Sequence, residues 1–501
     1  MYRELPKLMM YRDLGEDSII VKISEIIRDF DKGDYDKDEL ISRIYSEIHR
    51  LLEIATDYGF DKNLWHDYIA YVLVTNENPF SLTAERAATV EGSVNGFAKE
   101  DMRIFMHLFN YDFQKLERTL GIDCFSIITD YKSVHKRHQV YNRSVSKKVR
   151  DVSDSITAIS FVYEEEKKFP ENFKNKSADD TAAEMLLDLV KEFYKAYGVG
   201  MLGLNAAFRI AENLTSTSTV DKNVQLDYTN QSNLKDFMIG RGISCTPIKN
   251  TSKLMLDDLV GYEVQKTRLR ENTESFLAGS PANNVLLFGD AGTGKSTSIK
   301  ALINEYYDDG LRMIELYKHQ MKLLAPLISS IKNRNYRFII YMDDLSFEEN
   351  ETEYKYLKAV IEGGLETRPD NVLIYATSNR RNLIRETWND TNDVELDKHR
   401  SDTLQEKLSL VSRFGVTIPY MRPDKKGYEE IVKKLAERVR AKQSKAEKGS
   451  DGILADLGLD GSAENKLNIT DEELLALANK WSVSHGGMSG RAAQQLIDSL
   501  S

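Results

Sequence analysis

Val285-Leu286-Leu287-Phe288-Gly289-Asp290-Ala291-Gly292-Thr293-Gly294-Lys295-Ser296 carries a strand, a glycine-rich turn and the start of a helix in twelve consecutive residues. Its first four residues are apolar and partly branched, as a buried parallel strand requires. Thr297 to Tyr307 then carries Ile299, Leu302, Ile303 and Tyr306 at helical spacing. The glycine-rich segment between them therefore turns from strand to helix. Gly289, Gly292 and Gly294 let the backbone wrap its N–H groups around phosphate oxygens, and Asp290, Ala291, Thr293 and Thr297 complete the loop. Lys295 supplies a point charge, and the Ser296 hydroxyl suits a magnesium ion. A bound nucleoside triphosphate with Mg2+ is the expectation.

Downstream, strand and helix alternate as in a doubly wound parallel sheet: Leu311 to Leu316, a helix around Gln320 to Ile331, Phe338 to Met342, a helix around Glu353 to Glu366, then Val372 to Ala376 and Val416 to Tyr420. Ligands of such sheets sit at the carboxyl ends of the strands. There Asp343-Asp344 follows one strand, the first acid placed to hold magnesium and the second to polarise a water. Asn379, at the end of another strand, is a neutral amide able to hydrogen-bond a phosphate or that water without repelling either.

Composition sets the frame. The 501 residues suffice for at least two cores, and 41% hydrophobic with 29% charged residues is ordinary for a soluble globular protein. Two separated cysteines, Cys124 and Cys245, exclude a disulfide framework and fit a reducing compartment, with the cytoplasm expected. No apolar run approaches the ~20 residues of a membrane span, and the first residues lack a signal-peptide core. A net charge of -11 argues against whole-surface attraction to nucleic acid.

Residues 1–210 read as mainly helical, with apolar stripes such as Ile20, Ile23, Ile27 and Phe30, or Ile41, Ile44, Ile48, Leu52 and Ala55. The helix from Thr181 to Tyr197 ends at Gly198. Gly198-Val199-Gly200-Met201-Leu202-Gly203 matches a dinucleotide fingerprint in letters only, because it follows a helix where that motif needs a strand; close packing is the better reading. Lys132, Lys136, Arg137, Arg143, Lys147, Lys148 and Arg150 lie together without an acid, with Tyr131 and Tyr141 interleaved. This is either a contact for nucleic acid or an acidic partner, or a solvated basic face. Residues 211–253 are polar and aperiodic, as a linker would be, followed by a nucleotide-binding domain at 254–420 and a helical lid at 421–501.

Together these motifs resemble the AAA+ ATPases. That resemblance makes Asp343-Asp344 the Walker B acids and Asn379 sensor 1. It also makes Arg413, at the end of Leu408 to Phe414, an arginine finger aimed into a neighbouring copy, with Arg380, Arg381 and Arg400 as rivals. Arg491, opening the last helix, becomes sensor 2, and Leu256 to Tyr262, with Val260 and Gly261, the segment that packs around adenine. A closer resemblance, carried by Asp257 to Gln265, Glu271-Asn272-Thr273, Pro281 to Leu287 and Tyr375 to Arg381, is to a bacterial domain-of-unknown-function family of standalone AAA+ ATPases. It covers about residues 190–501 and includes the Asp-Asp pair, whereas the insertion from Arg385 to Asp402 is particular to this chain. The resemblance implies an ATP hydrolase that self-associates with nucleotide and remodels or switches an unidentified protein or nucleic-acid partner, with no membrane involved. An ATP-gated scaffold with little hydrolysis, a helicase-loader-like switch and a small-molecule kinase are the competing readings. Tyr317-Lys318-His319-Gln320 lacks the aromatic-hydrophobic-Gly pattern of polypeptide-threading enzymes.

Overall fold

A computed structural model describes residues 1–87, 92–131, 143–168, 177–211, 237–238, 243–248, 251, 253–347, 351, 353–362, 369–379, 410–450 and 469–500. The chain divides into two compact units, Met1–Thr251 with Ser329–Tyr336, and Ser252–Ile328 with Arg337–Ser501.

The first unit is built on helices α1 (Ile19–Lys32), α2 (Lys37–Tyr58), α3 (Leu64–Thr75), α4 (Pro79–Arg86), α5 (Ser93–Phe109), α6 (Gln114–Leu120), α7 (Cys124–Thr129), α8 (Arg143–Lys168), α9 (Ala178–Tyr197) and α10 (Gly200–Leu204). Their apolar stripes close one core in which Ile20, Leu51, Ile69, Phe105, Ile156 and Leu186 are buried. Asp36 caps α2 by accepting the Glu39 N–H, and Asn78 forms a capping box with Ser81 on α4. A buried carboxylate fixes the entering chain: Asp101 accepts the N–H groups of Met9, Met10 and Tyr11.

Gly198 ends α9 as expected, and the three glycines of the fingerprint are packing positions. A Cβ at Gly203 would lie 2.9 Å from the Gly198 carbonyl, so the backbones touch there. Within the span read as linker, Ser244–Pro247 is a strand (β3). It pairs antiparallel with β1 (Ala207–Ile210) and with β2 (Phe237–Met238). These strands are too short for a period to register, so the polar surroundings dominate the reading. Of the basic segment, residues 132–142 lie outside the described residues; Lys148 is buried, with its ammonium 4.3 Å over the Tyr197 ring, and does not belong to an exposed face.

The second unit is the α/β domain. Its parallel strands are β4 (Val285–Gly289), β5 (Leu311–Glu315), β6 (Arg337–Met342), β7 (Val372–Ser378) and β8 (Val416–Tyr420), in the order β5-β6-β7-β4-β8. The chain leaves β4 through α12 (Lys295–Tyr306), reaches the far strand β5, and returns through β6 and β7, so β4 is the topological switch point where α/β sheets bind ligands. Helices α11 (Glu263–Leu277), α13 (Leu324–Ile331) and α14 (Tyr354–Glu362) complete the layers.

The helix expected from Gln320 is a 3-10 segment, Lys318–Leu323, before α13 begins. Pro326 accounts for this, because its ring is tolerated only in a first helical turn. Helices α15 (Lys425–Ser450), α16 (Asp471–Ser484) and α17 (Gly490–Leu500) form the lid around Tyr428, Val432, Leu474, Ala493 and Ile497. Thr470 and Glu473 form the expected capping box on α16. Helix α15 runs past Lys442, where a polar insertion was expected, because the Ala, Lys and Glu there favour helix without an apolar stripe. Among the described residues no helix is long and apolar enough to cross a membrane.

Candidate functional site

A cavity of about 580 Å3 opens at the carboxyl ends of β4, β6 and β7. Its floor is the glycine-rich loop. At Gly289 (φ 135°) a Cβ would lie 2.2 Å from the Tyr420 carbonyl of β8, so only glycine lets the chain turn there. At Gly292 (φ 77°) a Cβ would lie 3.1 Å from Arg491 Cβ and from Ser489 Oγ, because the start of α17 rests on the loop and the Arg491 N–H donates to the Gly292 carbonyl at 3.2 Å. Lys295, Ser296 and Thr297, the first residues of α12, line the cavity, and a helix N-terminus favours anions.

Lys295 is 5% exposed and its Nζ donates to the carbonyls of Gly289 (2.9 Å) and Asp290 (2.6 Å) and to Asn379 Oδ1 (3.0 Å). Burial pushes the ammonium below its ordinary pKa, the Arg491 charge adds to this, and Asp344, Asp290 and Asp343 oppose it. The Ser296 hydroxyl donates to Asp343 Oδ1 at 2.6 Å, and the Thr377 hydroxyl donates to the same oxygen at 2.6 Å. Burial works to raise the Asp343 carboxyl, but the hydrogen bonds from Ser296 and Thr377, with the nearby Tyr341 hydroxyl, outweigh it and hold the group below the usual carboxylate range. The buried Tyr341 hydroxyl beside them makes no hydrogen bond of ordinary geometry among the described residues.

Asp344 has a left-handed backbone (φ 49°); its N–H donates to Thr377 Oγ1 at 2.9 Å and its carboxylate accepts from Asn379 Nδ2 at 2.7 Å. Two oxygen ligands of the kind a hard cation takes, Ser296 Oγ and an ionised Asp343, therefore stand side by side.

Apolar lining comes from Leu254, Leu259 and Val260, which flank the 3-10 turn Leu256–Asp258, and from Ile431 and Leu435 of α15. Three cations hold the turn. Arg270 bonds Asp257 (2.7 Å), Lys266 donates to the Leu259 carbonyl (2.8 Å), and Arg438 of α15 donates to the Asp258 carbonyl. Tyr262 stacks on Tyr420 with ring centroids 5.0 Å apart.

Thus Ala291, Gly292, Thr293, Gly294, Lys295, Ser296, Thr297, Asp343, Asp344, Asn379, Arg491 and Val260 line one cavity. Gly289, Asp290 and Gly261 shape its margins without lining it; Asp290 instead accepts the Arg422 N–H at 2.9 Å. Arg413 is not brought to the cavity and pairs with Glu362 of α14. The rival arginines Arg380, Arg381 and Arg400, and the insertion 385–402, lie outside the described residues.

Leu259 and Tyr262 belong to the segment expected around adenine, whereas sequence reasoning missed Thr377, Arg438, Gln494 and Gln495 as lining residues. Strand alternation offered a signal for Thr377, which shares a face with Asn379 two residues on. Helical spacing offered one for Arg438, seven residues after Ile431 and three after Leu435.

The chain belongs to the family described as "Protein of unknown function (DUF815)", whose model matches residues 236–501. That span begins later than the residue 190 or so at which the resemblance was placed. Among solved structures the chain is similar to a lysine-to-arginine mutant of RuvB from Thermotoga maritima, at 17% identity and a TM-score of 0.27, over 49% of this chain and 72% of that one. No curated protein matches the chain.

Proposed function

We propose that this member of the DUF815 family binds Mg-ATP and hydrolyses it, using the cycle to remodel or switch a macromolecular partner. The observation that carries this reading is the convergence of Lys295, the Ser296–Asp343 pair, the Asp344–Asn379 pair and Arg491 on a single cavity at the switch point of a parallel sheet.

In this reading the loop amides and Lys295 bind the phosphates, while Leu259, Val260, Ile431 and Leu435 take the base. Ser296 and Asp343 would hold magnesium, which would supply charge neutralisation for the triphosphate. Asp344 orients the attacking water and accepts its proton, and Asn379 positions that carboxylate against the terminal phosphate. Arg491 approaches from the lid of the same copy. Arg413 is the candidate finger for a neighbouring copy; an arginine supplied at the transition state is worth roughly 10³ to 10⁵ in rate.

Steady-state hydrolysis of wild type against Asp344→Asn tests the catalytic part, and hydrolysis equal in the two would overturn it. Gel filtration with and without ATP tests self-association: wild type should shift to a larger species with nucleotide, and a monomer under both conditions would remove the role given to Arg413.

The second reading, an ATP-gated scaffold with little hydrolysis, is favoured by one feature: the Asp344 carboxylate is engaged by Asn379, and aspartate has a shorter reach than glutamate. Hydrolysis that stays at background with every partner captured on Asp344→Asn would favour it. The partner is a protein or a nucleic acid; salt-dependent DNA binding lost on neutralising the basic 132–150 segment would establish the helicase-loader-like version.

A further inference from the structure

The register of the sheet brings an uncharged residue between the two acids. Tyr341 pairs with Tyr375 and Met342 with Ala376, so the next position carries Asp343 opposite Thr377, across the pair of strands β6 and β7. Thr377 is 1% exposed and its single hydroxyl is used in both senses. Its O–H donates to Asp343 Oδ1 at 2.6 Å, and its oxygen accepts the Asp344 N–H at 2.9 Å. The Thr377 main-chain carbonyl accepts the Leu345 N–H at 2.7 Å, so the turn after β6 is folded over this one residue.

Each bond has a consequence. With Ser296 Oγ also on Asp343 Oδ1 at 2.6 Å, that oxygen carries two donors and the carboxylate is fixed in rotation. The bond to the Asp344 N–H supports a backbone conformation, φ 49°, that a residue with a Cβ seldom adopts. That conformation in turn aims the Asp344 side chain at Asn379.

We infer that Thr377 is a positioning residue, whose hydroxyl orients the magnesium-holding acid Asp343 and, through the backbone, the water-orienting acid Asp344, coupling the two. The inference rests on the reading of the cavity as an Mg-ATP site and assigns the residue that sets its geometry. Groups of this kind, one bond removed from a metal ligand, change metal affinity or activity roughly 10- to 100-fold when removed.

The test compares the full-length wild type with Thr377→Val, which keeps the shape and β-branching of the strand residue but neither hydrogen bond, and with Thr377→Ser, which keeps both. Fluorescent ATP analogue binding is titrated with magnesium, hydrolysis is measured over the same range, and thermal midpoints report folding.

Thr377→Val should bind the metal-free nucleotide like wild type, need roughly 10- to 100-fold more magnesium for half-maximal effect, and lose kcat by a similar factor. Thr377→Ser should recover both to within a few-fold. If Thr377→Val does not fold, Thr377→Ala is measured in its place with the same expectations. A valine variant with wild-type magnesium dependence and kcat overturns the inference, as does a serine variant as impaired as the valine. Wild type that takes up no nucleotide overturns the reading of the cavity itself, a result separable from either.

Discussion

Asn379 and Asp344 are joined by a 2.7 Å hydrogen bond from the amide nitrogen to the carboxylate, while the amide oxygen of the same residue accepts from Lys295 at 3.0 Å. One neutral side chain thus spans the cation expected on the phosphates and the acid expected on the water. Replacing it with alanine leaves the loop intact and releases both. Asn379→Ala should retain ATP binding to within a few-fold and lose hydrolysis by about 10²-fold or more, the usual worth of a positioned acid or base. Steady-state kinetics beside equilibrium binding checks this; weakened affinity with kcat unchanged would mean that Asn379 acts on binding alone.

A buried ion pair in the first unit makes a stability prediction. Glu85 is 2% exposed and accepts from Arg334 Nε and Nη2, both at 2.9 Å, and from the Val199 N–H at 3.0 Å. Removing the acid takes the acceptor from the Val199 amide and leaves the Arg334 guanidinium with Glu77 and the Val199 carbonyl. Glu85→Ala should lower unfolding stability by roughly 1 to 3 kcal/mol, and Glu85→Gln, which keeps acceptor oxygen, by less. Denaturant midpoints of the first unit's transition measure both, and an unchanged midpoint for alanine would show the pair to be energetically idle.

Asp67 makes a pH prediction. It is buried in α3, and burial pushes its carboxyl up to about 6 against the hydrogen bonds from the Asp61 N–H and Ser153. Because the folded value lies above the unfolded one, the group has no effect on stability well below pH 4. As pH rises from about 4 to 6 the unfolded chain ionises first and stability falls, by roughly 3 kcal/mol for a shift of about two units; above pH 6 the loss is constant. Asp67→Asn should abolish this part of the pH dependence. Midpoints recorded from pH 4 to 7 for both proteins check it, and parallel curves would contradict it.

Much of the site was legible because its determinants are local. Val285 to Ser296 encodes strand, loop and helix within a dozen residues, and Thr470 with Glu473 caps α16 across a single turn. What escaped depends on partners distant in sequence. Thr377 gains its role only from register with Asp343, which follows β6, and Arg438 from a carbonyl at Asp258, 180 residues earlier. Arg334 likewise meets Glu85 across 249 residues, which is why Ser329–Tyr336 clusters with the first unit although both flanks belong to the second. The start of α13 was misplaced because apolar period runs through the 3-10 segment, where only Pro326 marks the boundary. Arg413, chosen on resemblance, meets Glu362 in its own copy, and a role toward another copy leaves no signature within one chain.

In the proposed function, the cavity grips an ATP molecule with magnesium through Lys295. Equilibrium uptake of labelled ATP by the purified chain, with and without Mg2+, tests it most directly. Wild type should saturate at one nucleotide per chain, and Lys295→Ala, with an unaltered thermal midpoint, should lose that uptake. No saturable uptake by wild type, or uptake indifferent to Lys295, would contradict the account.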